Sequence, residues 1–409
     1  MRLVITNNRL DVRAGSESYI ETVMVALRQL GHEVIAFSPA LGAVADSLRR
    51  LGFEVHDDPS KLPAGIDVIH GQHTNAVARV RRVLPSTPLV FMSHSWFIPM
   101  EDPIADIAPA AVVALNGRIE TRLRAMSLAP EVTVHRLRQP IPIEFFDGDR
   151  RQPAAQPRSA LLVSRKIRGR LSSIHEACER AGIELRTLRG ESPDPRLEMA
   201  AADMVLASGR SALEAMSMAR PTLLIDQTVC GGWITDESWE EIERNGFGTD
   251  NPHDAFTDLD ALLAMYSPDF GIQARVLAAH QHAAQDHAAA LVDIYRSVAD
   301  LRSPEVIARR LPAMIDENWE LSAGMQQLRH ANADLRAENW ALQRALDRTE
   351  LGSDAALNNV RSGADRPSSA RWSRIERSRP VLSVLSILLT LRSALHRSKR
   401  RSKRSTKRS

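Results

Sequence analysis

The feature that most constrains the fold is an alternation of short apolar runs with helical patterns along residues 1–300. Runs rich in Val, Ile and Phe predict strands at Leu3–Thr6, Glu33–Phe37, Phe53–His56, Val68–His70 and Leu89–Met92. After the first run, apolar residues keep helical spacing, with a capping-box start predicted at Ser18 and Glu21 and a stop at Gly31. Strands that alternate with helices predict βαβ units in a parallel sheet.

A second alternating set follows the first. Strands are predicted at Ala160–Val163, Ile183–Thr187, Met204–Leu206 and Pro221–Ile225, and helices at Leu171–Ala181, Arg196–Ala201 and Ala212–Met218, with helical patterns from Glu237 to about Asp300. The predicted fold class is therefore α/β, with two Rossmann-like, doubly wound domains at 1–148 and 160–302 and a linker at 149–159 that contains Pro153 and Pro157. Such halves place ligands at the carboxyl ends of their strands and in the crevice between domains.

The pattern changes to a heptad repeat after residue 302. Leucines recur every seven residues, and an offset face carries two asparagines: Leu321, Leu328, Leu335, Leu342, Met325, Asn332, Asn339 and Leu346. This predicts a coiled coil at 303–350 that forms a homodimer. The alternative is a single amphipathic helix folded against the body. Residues 351–380 are polar and predict a disordered linker.

The net charge of +3 hides a strongly basic tail. From Arg361 to Ser409 there are fifteen Arg and Lys residues against two acids, so the other 360 residues carry −10. An acidic body does not favour nucleic acid as a partner. The apolar run Val381–Leu391 is too short to span a bilayer, but the polybasic stretch after it predicts that the amphipathic tail 381–409 binds an anionic membrane surface. A solvated tail and binding to nucleic acid are the alternatives for this segment.

Cysteine usage and the amino terminus bear on the compartment. Cys178 and Cys230 are far apart and offer neither a disulfide framework nor the spacing of metal ligands, so no metal is predicted. The chain begins with an apolar strand and lacks the pattern of a signal peptide. The prediction is a cytoplasmic protein, peripheral at the inner face of the membrane.

The stretch Ala202–Met216 carries the clearest chemical signal. It predicts a strand, a tight glycine turn and a helix N-terminus, where backbone N–H groups and the helix dipole favour a diphosphate. The predicted binding residues are Ser208, Gly209, Arg210 and Ser211. Glu214, one turn into the helix, is placed to accept hydrogen bonds from a ribose. The alternative is that Ser211 and Glu214 form a capping box.

The segment Ser208–Asp226, which contains Leu213-Glu214-Ala215-Met216 and Arg220-Pro221, resembles the donor-binding motif of GT-B glycosyltransferases, especially the family 4-like retaining enzymes. Further segments resemble motifs of these enzymes in the expected order: Arg13–Glu17, Leu30–Val34, Val163–Lys166, Gly231–Thr235 and Asn245–Gly248. The resemblance covers roughly residues 1–300.

The resemblance implies roles for individual residues. Glu214 would bind the nucleotide ribose, and Gly15 would let the backbone approach the sugar and phosphates. Arg165 and Lys166 would neutralise the diphosphate and stabilise its departure. His94 matches a histidine near the donor sugar, although a lone histidine after a strand is more often structural. His70 and His73 form a weaker case, and their spacing also suggests a metal site, but no carboxylate or cysteine stands near them in sequence.

Three departures from the motif qualify the resemblance. Leu206 stands where family 4 enzymes carry the first of two glutamates, Lys166 directly follows Arg165, and Gln139–Pro142 replaces the usual linker signature. The prediction is transfer of a sugar from a nucleotide-sugar, which is a co-substrate and not a cofactor, to a glycan or lipid-linked acceptor. The alternatives are a non-catalytic dimeric scaffold at the membrane and a nucleotide-sugar epimerase.

Overall fold

A computed structural model describes residues 1–146, 151–164, 171–188, 195–225, 230–248, 259–301 and 328. The predicted coiled coil at 303–350, the linker at 351–380 and the tail at 381–409 lie outside the described residues, apart from Leu328. No helix among the described residues is both long enough and apolar enough to cross a bilayer.

The first half of the molecule is built on a seven-stranded, fully parallel sheet. Its strands are β1 Arg2–Thr6, β2 Glu33–Phe37, β3 Glu54–His56, β4 Val68–Gln72, β5 Leu89–Ser93, β6 Ala111–Ala114 and β7 Thr133–Arg136, in the order β3-β2-β1-β4-β5-β6-β7. Its helices are α1 Gly15–Gln29, α2 Ala43–Arg50, α3 Thr74–Arg81 and α4 Gly117–Ala125. The central strands are buried throughout, as parallel strands covered by helices on both faces must be.

The second half is built on a five-stranded sheet. Its strands are β8 Ser159–Val163, β9 Glu184–Leu188, β10 Met204–Ala207, β11 Thr222–Ile225 and β12 Cys230–Trp233, in the order β12-β11-β10-β8-β9. Among the described strands of this sheet, β12 alone is antiparallel to its neighbour. The helices are α5 Leu171–Arg180, α6 Arg196–Ala201, α7 Arg210–Ser217, α8 Trp239–Arg244, α9 Leu259–Ala264, α10 Asp269–Gln281 and α11 Ala284–Ala299.

Helix α1 begins three residues before the predicted capping box. Its N-cap is Ala14, and the backbone N–H of Ser18 donates to the Ala14 carbonyl, 3.0 Å away, so Ser18 is already inside the helix. The Glu21 carboxylate pairs with Arg13 at 2.6 Å instead of reaching back to a cap. The predicted box is therefore wrong, whereas the predicted stop is confirmed by Gly31, whose φ of +81° favours glycine.

The last helix returns to the first half. Buried residues of α11, among them Leu291 and Tyr295, belong to the core around the first sheet, although they come from the range 160–302. The chain therefore crosses between the halves twice. The two crossings are joined, because the N–H of Ile141 donates to His282 O at 2.8 Å and the N–H of Ala284 donates to Ile141 O at 3.2 Å.

The segment from Arg151 to Ser159 is attached to the second half by one carboxylate. Asp203, 1% exposed, accepts the backbone N–H groups of Ala154, Arg158 and Ser159 at 3.2, 2.9 and 3.0 Å. It also pairs with the Arg151 guanidinium. Burial opposes its charge, but these donors lower the pKa of Asp203 overall. Asp203 thus holds the chain that leads into β8.

Candidate functional site

The glycine turn predicted to bind a diphosphate lies between β10 and α7. Ser208 follows the strand, and Gly209 is the N-cap of the helix with φ +59°, a conformation that favours glycine. The N–H of Gly209 donates to the carbonyl of Phe247 at 2.8 Å. That contact brings the Asn245–Gly248 segment against the turn. The N–H groups of Arg210 and Ser211, at the helix start, have no partner within the helix.

The Arg210 side chain connects the two halves of the molecule. Its Nη2 donates to the Thr22 hydroxyl on α1 at 2.8 Å, and its Nη1 donates to the carbonyl of Pro140 in the first crossing at 3.1 Å. Its Nε lies 3.2 Å from Glu214 Oε1. Burial lowers the pKa of this guanidinium, while the Glu214 carboxylate favours the charge. Arg210 therefore carries a buried positive charge at the boundary of the two halves.

Glu214 is not part of a capping box. The N-cap is Gly209, and no side chain caps the helix, so Ser211 lies inside its first turn. The Glu214 side chain is 15% exposed and turned toward Arg210, four residues earlier. This arrangement removes the capping alternative and places a carboxylate beside Arg210 at the helix start.

His94 lies across from Arg210, directly after β5. Its ring packs edge-on against Tyr19 of α1 with centroids 4.7 Å apart, and its backbone N–H donates to Glu101 Oε2 at 3.0 Å. Burial lowers the pKa of His94 to about 4. The Glu101 carboxylate opposes this shift, and the charges of His73 and Arg210 add to it. The ring is therefore neutral at physiological pH. Its Nε2 is buried without a hydrogen-bond partner among the described residues.

The weaker candidates His70 and His73 lie in the same region. His70 is completely buried and contacts the Tyr295 hydroxyl through Nδ1 at 2.5 Å, which links it to α11. His73 accepts the N–H of Asn8 at Nδ1, 3.2 Å away, and its Nε2 lies 3.0 Å from Glu101 Oε1. With both nitrogens engaged inside the protein, His73 acts as a support for Glu101. Among the described residues no group of three His, Cys, Asp or Glu could hold a metal ion.

Two buried glutamates near His73 have pKa values that are shifted in opposite directions. Burial opposes the charge of Glu101, but His73 and the His94 N–H outweigh it, and the pKa of Glu101 is lowered. Glu17, 6% exposed in the first turn of α1, accepts a hydrogen bond from the Ser16 hydroxyl at 3.1 Å. Burial raises the pKa of Glu17 in spite of its own N–H and the attraction of His73.

Several buried polar atoms at this edge of the first sheet lack a hydrogen-bond partner among the described residues. They come from residues at the carboxyl ends of β1, β4 and β5: Asn7 Nδ2, Asn8 Oδ1, Gln72 Oε1, Asn75 Oδ1 and His94 Nε2. Buried polar groups in proteins are almost always paired with protein, water or ligand. Most of these groups are amides, which suits an uncharged ligand rich in hydroxyls.

The remaining predicted residues fall into two groups. Gly15 begins α1, and the space where a Cβ would stand is open, as close approach of a ligand requires. Arg165 and Lys166 lie outside the described residues. Leu206, at the place of the missing motif glutamate, lies within β10 and is completely buried in the core of the second half.

No sequence pattern pointed individually to Glu17, Glu101, the two asparagines after β1 or Asn75 at the start of α3. Glu101 is 28 residues from His73, so spacing along the chain does not join them. A usable signal was present nonetheless: Asn7, Asn8 and Gln72 all stand at the ends of strands, where parallel sheets place ligands.

No protein-family model matches the chain, and no curated protein matches its sequence. Among solved structures, HepE from Anabaena in complex with UDP-glucose is similar at 15% identity over 73% of this chain and 100% of that chain, with a TM-score of 0.50. HepE in complex with UDP and glucose gives 14% identity, the same coverage and a TM-score of 0.50. AviGT4, a glycosyltransferase involved in avilamycin A biosynthesis, is similar at 15% identity over 74% of this chain and 99% of that chain, with a TM-score of 0.46.

At these identities the similarity to HepE shows the fold. The chain has the GT-B architecture of two Rossmann-like halves, as its sequence motifs predict.

Proposed function

We propose that this protein is a glycosyltransferase that takes a sugar from a nucleotide-sugar and transfers it to a glycan or lipid-linked acceptor. The observation that carries the proposal is Arg210, a buried cation at the start of α7 that also contacts α1. A cation beside the open N–H groups of a helix start favours a diphosphate. In HepE, a protein of the same fold, the crystal structures contain UDP or UDP-glucose.

Glu214 supplies the second part of the proposed donor site. Its carboxylate is held beside Arg210 and can accept hydrogen bonds from ribose hydroxyls, as the family resemblance implies. No covalent nucleophile is needed, because transfer then depends on positioning and on stabilising the departing diphosphate. Arg165 and Lys166 are proposed to share that second task.

The experiment is a donor screen on the full chain. Thermal shift and nucleotide release are measured with UDP-glucose, UDP-N-acetylglucosamine and GDP-mannose, and we expect at least one donor to stabilise the protein. The matched variants are Glu214→Ala and Glu120→Ala, since Glu120 forms an equivalent pair with Arg124 on α4, 2.9 Å apart. Only Glu214→Ala should weaken donor binding, by about tenfold, which corresponds to the loss of one hydrogen bond to a charged group.

Three results would contradict the proposal in different ways. A chain that binds none of the donors would support the non-catalytic scaffold. Conversion of UDP-N-acetylglucosamine to its epimer without an acceptor would support the epimerase. Equal affinity in Glu214→Ala and the wild type would remove Glu214 from the site.

The site of action is proposed from the sequence of the carboxyl-terminal region. The heptads of 303–350 support a homodimer, and the polybasic tail 381–409 supports attachment to the inner face of the membrane. Removing residues 381–409 should release the protein from anionic vesicles, and ending the chain before Asp316 should yield monomers. Unchanged sedimentation with vesicles, or an unchanged mass in solution, would overturn the respective assignment.

A further inference from the structure

Glu17 is a buried carboxylate at the ligand edge of the first half. It stands in the first turn of α1, two residues after the open Gly15, and is 6% exposed. The groups whose charges act on it are His73 after β4 and Glu101 in the loop after β5, and its own charge acts on Arg9 after β1. Burying a carboxylate costs free energy, and proteins retain such a group where it has a function.

Glu101 is a structural carboxylate in the same region, and its hydrogen bonds differ from those of Glu17. Both of its oxygens are engaged, Oε1 with His73 Nε2 at 3.0 Å and Oε2 with the N–H of His94 at 3.0 Å. Glu17 instead accepts hydrogen bonds only from groups beside it in sequence, the Ser16 hydroxyl and its own backbone N–H, among the described contacts. Two nearby carboxyl groups held in such different surroundings are a recurrent sign that one of them takes part in proton transfer.

Polar groups beside His73, whose charge acts on Glu17, indicate what Glu17 would act on. Asn8, whose N–H is bonded to His73, and Asn75, two residues after His73, have buried Oδ1 atoms without partners among the described residues. Carbonyl oxygens of this kind require donors. A hydroxyl-bearing ligand supplies them, whereas a phosphate, having no donors when fully ionised, does not.

The position of Glu17 relative to the donor end is set by α1. Thr22, on the same helix, accepts the hydrogen bond from Arg210 of the proposed donor site. Five residues of helix separate the two positions by about 7.5 Å along the axis. Glu17 and the residue that Arg210 contacts are therefore less than two helical turns apart on α1.

We propose that Glu17 is the general base that deprotonates the acceptor hydroxyl, and that the acceptor is an uncharged, hydroxyl-rich group. This assignment rests on the proposed glycosyltransferase function. As the acceptor oxygen forms its bond to the anomeric carbon, its proton passes to the Glu17 carboxylate. The bond from the anomeric carbon to the diphosphate oxygen breaks, and its electron pair leaves with the nucleoside diphosphate. Glu17 then returns the proton to water.

A direct displacement of this kind inverts the configuration at the anomeric carbon. The resemblance to family 4 enzymes predicts retention instead. The configuration of the product therefore separates the two routes.

The test compares wild type, Glu17→Gln and Glu33→Gln, with a donor identified by the screen and octyl glucoside as a neutral hydroxyl acceptor. Glu33 is a control of equal charge change at the exposed start of β2. We expect Glu17→Gln to lower kcat at least about a hundredfold, the range of general base catalysis, with the donor KM within about threefold. Glu33→Gln should match the wild type, and NMR of the product should show inversion.

Stability separates a catalytic role from a structural one. The raised pKa of Glu17 means that folding favours its protonated form, so its contribution to stability is fully present at acidic pH and is lost as pH rises through the folded pKa. Gln resembles that protonated form. At pH 7 the Tm of Glu17→Gln should therefore equal or exceed that of the wild type.

Each contrary outcome has a defined meaning. A kcat within threefold of the wild type, a retained configuration, or a Tm several degrees lower in Glu17→Gln would overturn the assignment of Glu17. A wild-type chain that binds no donor would overturn the proposed function itself, and this assignment with it.

Discussion

Both halves of the molecule bury polar groups, but a buried carboxylate in the second half and several buried amides in the first half differ in their hydrogen bonds. In the second half, the Asp203 carboxylate is surrounded by donors, and its hydrogen bonds attach the incoming chain to the sheet. At the ligand edge of the first half, amide groups such as those of Asn8 and Asn75 are buried with polar atoms that have no partner among the described residues. Satisfied groups stabilise a fold, whereas unsatisfied ones weaken it and are retained where a ligand completes them.

The largest effect is expected at Asp203. Asp203→Ala leaves three backbone N–H groups and the Arg151 guanidinium without their acceptor, so we expect a loss of about 3 kcal/mol in the free energy of unfolding. Urea denaturation measures it. The control is Asp260→Ala, an exposed partner of Arg180, which should cost less than about 1 kcal/mol. Equal losses in the two variants would contradict the special role of Asp203.

The second prediction concerns the loss of stability at acidic pH. Burial lowers the pKa values of His70, His94, His282 and His287, those of His94 and His282 to about 4 and that of His287 to about 3. The unfolded chain binds protons below pH 6.5 that the folded chain does not, so stability falls as pH drops from 6.5 toward 4. Each histidine contributes about 1.4 kcal/mol per pH unit in that window. His73, with its raised pKa, acts in the opposite direction.

Denaturation at pH 7, 6 and 5 checks this slope. His287→Gln removes one of the four groups and should reduce the slope by about one proton. His175→Gln, on the exposed face of α5, should leave it unchanged. A stability that is flat between pH 6.5 and 5 would show that these histidines are not held neutral.

The third prediction separates a real helix cap from an apparent one. The Asn116 side chain accepts the N–H of Ile119 at 3.0 Å and caps α4, so Asn116→Ala should cost about 1 kcal/mol. Ser211 lies inside α7 and caps nothing, so Ser211→Ala should change stability by less than about 0.5 kcal/mol. Comparable losses in the two variants would support a capping box at Ser211 and Glu214.

The smallest effect on stability is expected at Asn75, one of the buried amides at the ligand edge of the first half. Asn75→Ala removes a carbonyl without a described partner and places a better helix former in α3, so the free energy of unfolding should stay within about 0.5 kcal/mol of the wild type. The same variant should raise the KM for octyl glucoside several-fold. A loss above about 1.5 kcal/mol would instead show that Asn75 is a structural group.

Of the twelve strands in the described residues, the sequence predicts nine and misses β6, β7 and β12. Strand β2 has the predicted bounds Glu33–Phe37, because its apolar run is continuous. Strand β7, Thr133–Arg136, was not predicted, since an edge strand with polar residues lacks such a run. Helix α1 begins at Gly15 because Ala14 and the Arg13–Glu21 pair set its start, which residue preferences alone do not reveal.

Part of the candidate site can be predicted from the sequence, and part cannot. The turn at Gly209 follows from a local pattern of strand, glycine and helix, and it lies where predicted. The contact of Arg210 with Thr22 joins residues 188 positions apart, and that of His73 with Glu101 joins the end of β4 to the loop after β5. Such pairings depend on how the sheet and the halves assemble, and no spacing rule along the chain contains them.

The return of α11 to the first sheet has a consequence for synthesis on the ribosome. Helix α1 packs against a helix that ends at Ala299, and the Tyr19 hydroxyl is bonded to His287 Nε2 at 3.0 Å. The first half is therefore translated early but can be completed only after the whole second half has emerged. Until then, its nascent chain presents an apolar helix face to water or to chaperones, and a fragment that ends before residue 284 would keep that face permanently.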